Sequence, residues 1–162
     1  MKSDELLDSA AELIYDKLDT VGGDPLQLPA VLQPIAILYT IQAIVDNGGF
    51  RYLFENDRGS HPYSVGVQAY RQVGAIHAAD CLERAVNLFP FPDPHINESK
   101  RNEYMDSLNE ESAELYQLGD QVCGDRQVWL LMEAYVKDHL AELAECGVMV
   151  LEGWNPQKQA SH

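Results

Sequence analysis

The chain has 162 residues, 46% of them apolar and 23% charged, the balance of a folded protein and not of a disordered one. That length suits one domain with its own hydrophobic core. Twenty-six acidic residues stand against eleven basic ones, and the resulting charge of −15 repels nucleic acid and anionic membrane while attracting basic proteins and cations.

Ser3 is placed to cap a first helix, with Asp4, Glu5 and Asp8 near its positive end. Leu6, Leu7, Ala10, Ala11, Leu13, Ile14 and Leu18 then recur at helical spacing on one side, and Gly22-Gly23-Asp24-Pro25 stops the run. Residues 26–32 form a linker, because Pro29 and Pro34 forbid an uninterrupted helix there. Pro34 opens a second helix, in which Ile35, Leu38, Ile41, Ile44 and Val45 are expected to be buried. It is apolar nearly all round, so it belongs at the centre of the domain.

The chain is organised around the next stretch. Asn47, Gly48 and Gly49 tolerate positive φ and suit the end of one helix and the re-aiming of another. Phe50, Tyr52 and Phe54 follow on a short helix and need a core to bury into. Asn56 opens a polar loop through His61 and Pro62, read as an Asx-turn.

Further helices are expected over 62–73, ended by Gly74, and over 75–89, with Ile76, Ala79, Leu82, Val86 and Phe89 as an apolar stripe. Asn97 caps a helix from 98 to about 108, and Asn109 caps one that buries Ala113, Leu115, Tyr116 and Leu118. Residues 119–124 read as loop. Asp125 opens one last long helix, carrying Val128, Leu131, Met132, Tyr135, Val136, Leu140 and Leu143, with Gly147 ending it. Residues 148–151 read as a strand or a docked tail, and 155–162 as a loose polar end. The expected fold is all-α: a single domain over 1–154 with seven or eight helices around a buried central one.

Signals for catalysis are sparse. His61, His77, His95, His139 and His162 are scattered, with no HExxH or Cys/His cluster, and no GxSxG or phosphate-binding loop occurs. No metal, cofactor or catalytic residue is expected. His77 and Asp80 read as a surface hydrogen-bonded pair and Cys81 as a packed thiol. Cys81, Cys123 and Cys146 are odd in number without a CxxC pair, which fits a reducing cytoplasm. The start carries no signal-peptide pattern, and the longest apolar run, 35–45, is too short to span a bilayer. A soluble, cytoplasmic protein is expected. Asn47, Arg51, Asn56 and His61 form an alternative small-ligand or enzymatic centre, against the plainer reading that they shape the corner.

Charge is the strongest lead. Residues 1–24 hold seven acids against two bases, and 97–152 thirteen against four, while 25–96 are nearly balanced. Glu110 and Glu114, like Asp138 and Glu142, are four apart, and Glu142 and Glu145 are three apart. On a helix such pairs lie about 5–6 Å apart along the axis, comparable to successive phosphates on a nucleic-acid strand. Each like-charge pair costs a few tenths of a kcal/mol (about 0.2–0.5), which a plain solvated face has no need to accept. The candidate partner-binding carboxylates are Glu110, Glu111, Glu114, Asp138, Glu142 and Glu145, with Asp4, Asp8 and Glu12 as a second patch.

The apolar helix into Val45-x-Asn47-Gly48-Gly49-Phe50, then Tyr52, Phe54, Asn56, Gly74-Ala75, Ala78-Ala79, Leu82, Ala85 and Phe89-Pro90, resembles the bacterial DNA mimic protein 19-like family. A weaker similarity surrounds Ala134-Tyr135-Val136. The resemblance implies an all-helical acidic protein, with a homodimer among its expected assemblies, that presents carboxylates to a DNA-binding partner. The expected function is non-enzymatic: binding the basic surface of a nucleic-acid-binding protein in competition with nucleic acid. An immunity-type inhibitor of a basic nuclease needs the same electrostatics.

Overall fold

Helical spacing becomes helix throughout the computed structural model, which describes residues 3–57, 61–109 and 113–148, without the side chains of Ser3 and Asp4. Among these residues there are eight α-helices and no strand. They are α1 (Ser3–Thr20), α2 (Gln33–Asn56), α3 (Tyr63–Gln72), α4 (Ile76–Asn87), α5 (Glu98–Asp106), α6 (Glu114–Val122), α7 (Arg126–Asp138) and α8 (Leu140–Glu145). Two 3-10 turns, Pro25–Gln27 and Pro94–Ile96, occupy proline-led linkers. Glu110, Glu111 and the whole of 149–162 lie outside the described residues, and with them most of the short apolar stretch 148–151.

α2 is the axle. It packs against α1, α3, α5 and α6, as its nearly unbroken apolar surface requires. The corner inside it is a kink. Gly48 (φ −178°, ψ 21°) and Gly49 (φ 68°, ψ −161°) leave helical geometry, and the second combination is open essentially to glycine alone. Beyond the kink Phe50 and Phe54 are fully buried, in a ring cluster with Tyr63, Phe89, Phe91 and Tyr104. Tyr52 is the exception and stays 41% exposed, because it falls on the outer side of the same turn.

The kink docks on α6. A Cβ added to Gly119 would stand 2.5 Å from the Phe50 amide nitrogen, so only glycine permits this backbone approach. Residues 119–122 are therefore helix and not loop: here a glycine serves contact between helices, not chain reversal. A second correction concerns the last long helix. It breaks at His139 (φ −115°, ψ 17°), whose Nδ1 donates to the Tyr135 carbonyl at 2.7 Å while its ring stacks on Tyr135. A third concerns the stripe on α4, where Ile76 is 48% exposed and Ala78, Ala79, Cys81, Leu82 and Ala85 form the buried side.

Two polar devices lie inside the core. Gln42 is fully buried; Tyr70 donates to its Oε1 at 2.8 Å, and its Nε2 donates to Asp46 Oδ1 at 2.7 Å and to the Val122 carbonyl at 3.1 Å. Asp46 also accepts from the Gly124 amide and Trp129 Nε1, both at 2.8 Å, so the network joins α2, α3, α6 and α7. Arg101 on α5 is fully buried as well. Its guanidinium donates to the carbonyls of Phe54, Asp57, Pro94 and His95, closing the C-terminal end of α2 onto the Pro94–Ile96 turn.

Candidate acidic interface

Leu6, Leu7, Ala10, Ala11 and Ile14 turn one side of α1 inward, against α2 and α7. The opposite side follows from that choice. Glu5, Asp8, Glu12, Asp16 and Asp19 are all exposed, at successive spacings of three, four, four and three residues. At 100° per residue these five carboxylates fall within an arc of about 80° and extend over about 21 Å of helix. Asp8, the second of them, also accepts a 2.8 Å hydrogen bond from Tyr39. Lys17, the one base in the helix, turns away to lie beside Gly147. Asp8, Glu12, Asp16 and Asp19 make no ion pair among the described residues.

This arrangement is costly. The four like-charge neighbours along the row oppose the helix by about 1–2 kcal/mol in sum. Asp16 and Asp19 also sit in the last turns, where the helix dipole disfavours negative charge. Tyr39 registers the field: burial, followed by the hydrogen bond to Asp8 and its charge, pushes the phenol up to about 12.

The carboxylates nearer the C-terminus are placed differently. Glu114 is tied to Arg84 at 2.6 Å across the α4–α6 contact. Asp138, Glu142 and Glu145 are exposed, but the His139 break puts Asp138 at the end of α7 and the other two on α8. The expected single-helix row through Asp138 and Glu142 is therefore interrupted. Packing of α1 on α7 brings the two acid-rich ends of the chain together. Bases of the middle region are engaged locally instead, as Arg51 with Glu55 at 2.7 Å, and Arg71 with Asp80 at 2.9 Å and Glu83 at 3.2 Å.

The corner residues do not assemble into one pocket. Asn47 Nδ2 bonds the Ala43 carbonyl at 2.8 Å, and Asn56 Nδ2 the Tyr52 carbonyl at 2.7 Å. Both close the end of a helical segment, so Asn56 is a helix terminator and not the start of an Asx-turn. Arg51 lies over the Tyr116 ring, 5.7 Å from its centroid, away from Asn56 and His61, which line a separate cavity. His61 Nε2 is 2.9 Å from Asp24. The Leu26 amide, with His61 adding to it, holds the Asp24 carboxyl below the usual carboxylate range. Asp80 pairs with Arg71 and not with His77, which approaches Cys81 at 3.7 Å; burial pushes the Cys81 thiol up, the opposite of what a nucleophile needs. Among the described residues no three His, Cys, Asp or Glu side chains converge on a metal position, and no helix is long and apolar enough to cross a membrane.

Periodicity alone holds the information for the α1 row, since the inward positions fix the outward ones, and it adds Glu5, Asp16 and Asp19 to the expected Asp8 and Glu12. No curated protein and no solved structure matches the chain. Residues 26–139 match the family model described as DMP19-like protein, a segment that holds the kinked α2 with α3, α5 and α6 but begins after α1. The chain belongs to the DMP19-like family.

Proposed function

We propose that this protein is a non-enzymatic DNA mimic, which occupies the basic surface of a nucleic-acid-binding protein through the carboxylate row of α1. The observation that carries this reading is the row itself: five exposed carboxylates on one helix face, spaced at about 4.5–6 Å, with the only lysine of the helix turned elsewhere. Arginine and lysine side chains that normally contact phosphates meet a linear array of anionic oxygens, and charge-assisted hydrogen bonds replace the ones made to nucleic acid. Asp138, Glu142 and Glu145 add negative potential from the α7–α8 side, which steers a basic partner during approach. The family description supports the same direction, and the acid-rich helix outside the matched segment gives this chain its own means of carrying it out.

The test is capture from nuclease-treated lysate of the protein's own host, with elution by a salt gradient. Basic nucleic-acid-binding proteins should elute as salt rises and be displaced by free DNA. A variant with Glu5→Gln, Asp8→Asn, Glu12→Gln, Asp16→Asn and Asp19→Asn should capture none of them. Retention that survives excess DNA, or that is unchanged in this variant, refutes the reading.

A further inference from the structure

Apolar side chains left outside the core mark where a surface can be covered. Ile41 and Ile44 of α2, expected to be buried, are half-buried at a cavity that α3 and Pro25 also line. Leu130 of α7 is 49% exposed, because Val128, Met132 and Val136 take the inward side of that helix. Leu130 forms one wall of a groove of about 240 Å³ between α1 and α7. Buried Leu7 and half-buried Trp129 complete its apolar lining, and Asp8, Arg126 and Glu133 supply the polar one. Glu133 is only 4% exposed and is already paired with Lys137, so it offers nothing to a ligand. Asp8 and Arg126 are exposed.

Asp8 belongs both to the groove and to the α1 row, so a partner seated on the row reaches the groove as well. The spacing of the row selects the form of that partner. Its five carboxylates advance about 4.5–6 Å at a time, the interval between side chains three and four apart on a second helix. An extended strand presents alternate side chains about 6.7 Å apart and overshoots the row by about 6 Å over its length. Arg126 repels a basic side chain from its own edge of the groove, which confines the partner's bases to the row and leaves the groove to an apolar group. We propose, resting on the function argued above, that row and groove together receive a basic amphipathic helix of the partner. Its lysines or arginines meet the row, and one aliphatic side chain packs against Leu7, Trp129 and Leu130. The groove has the volume of about eight liquid waters, room for a leucine side chain. Charge alone attracts any basic helix; the groove selects those with an aliphatic side chain at the matching position.

The test uses two alanine-based helical peptides of about 20 residues. Both carry five lysines at successive spacings of three, four, four and three, the pattern of the row. That pattern reads the same from either end, so one peptide has leucines flanking the second and fourth lysines, and the other has alanines there. Each is titrated into the full chain at several salt concentrations and followed by NMR. The leucine peptide should bind the native chain about five-fold more tightly, the increment of a partly buried leucine over alanine. Its shifts should centre on the Leu7 and Leu130 methyls and the Trp129 indole. Leu130→Gln should bring the two peptides to near parity, with thermal unfolding as the check on its fold. Neutralising the five carboxylates of the row should weaken both peptides and flatten their salt dependence. Equal affinity of the two peptides for the native chain, a leucine advantage that survives Leu130→Gln, or shifts located elsewhere would overturn the groove. A leucine advantage in a protein whose row variant binds as the native chain does would instead overturn the row, and no binding by either peptide would overturn both.

Discussion

The kink of α2 and the outer face of α1 are built on opposite terms. The kink is built for contact: Phe50 and Phe54 are fully buried, Gly49 holds a left-handed conformation, and Gly119 lets two backbones meet. On α1 five carboxylates face solvent and oppose one another. The first region gains stability from its residue choices, and the second gives some up. The family match draws the same line, covering the kink and leaving α1 outside. On the proposed function, fold and partner binding are thus written in different parts of the chain, and substitutions in the two should move stability in opposite directions.

The largest effect is expected at the helix crossing. Gly119→Ala forces the Phe50 backbone aside and should cost about 3 kcal/mol in thermal or denaturant unfolding. A cost below about 0.5 kcal/mol would mean that α6 adjusts freely and that the crossing does not fix the kink. Next comes the buried network. Gln42→Leu leaves the Tyr70 hydroxyl without its acceptor and removes a donor from Asp46, and should cost about 2 kcal/mol, read as a lower urea midpoint with unchanged m. The α1 row should behave in the reverse sense. Neutralising Glu12, Asp16 and Asp19 together as Gln, Asn and Asn should raise stability by about 1 kcal/mol at low salt, a gain that shrinks as salt screens the repulsion. Loss of stability in that variant would show that these carboxylates are structural.

The smallest effect is a titration. Tyr39 ionises at about 12 against an ordinary value of 10.0, chiefly through burial and then through Asp8. Because the folded value is raised, the stability linked to the neutral phenol is complete below about pH 10 and is lost as pH climbs toward about 12. Asp8→Asn should bring the ultraviolet titration of Tyr39, obtained as the difference from Tyr39→Phe, to lower pH. An unmoved titration would mean that the carboxylate does not act on the phenol.

Much of the fold was legible, because apolar periodicity, proline and glycine punctuation and the Asp125 cap are local signals. The corrections fall on side chains whose contacts the apolar pattern does not carry. Gly119 looked like a loop residue because nothing nearby in sequence announces Phe50 across the helix crossing. Asp125 to Gly147 looked continuous because the His139 side chain competes for a carbonyl without disturbing the apolar pattern. Burial of Gln42 and Arg101 has no signal near them in sequence, since it depends in part on Val122 and Phe54, 80 and 47 residues distant. Of the candidate acidic row, about half was legible. Asp8 and Glu12 lie on the row, whereas Glu114 is tied to Arg84, a contact between helices that charge counting along the chain does not contain.

The most direct measurement is the affinity for a captured basic nucleic-acid-binding partner as a function of salt, for the native chain and for the variant with the five carboxylates of the α1 row neutralised. The account predicts a steep loss of affinity with salt for the native chain. It predicts weak, nearly salt-independent binding for the variant, whose unfolding temperature is equal or higher. Equal affinities and equal salt slopes for the two proteins would contradict it.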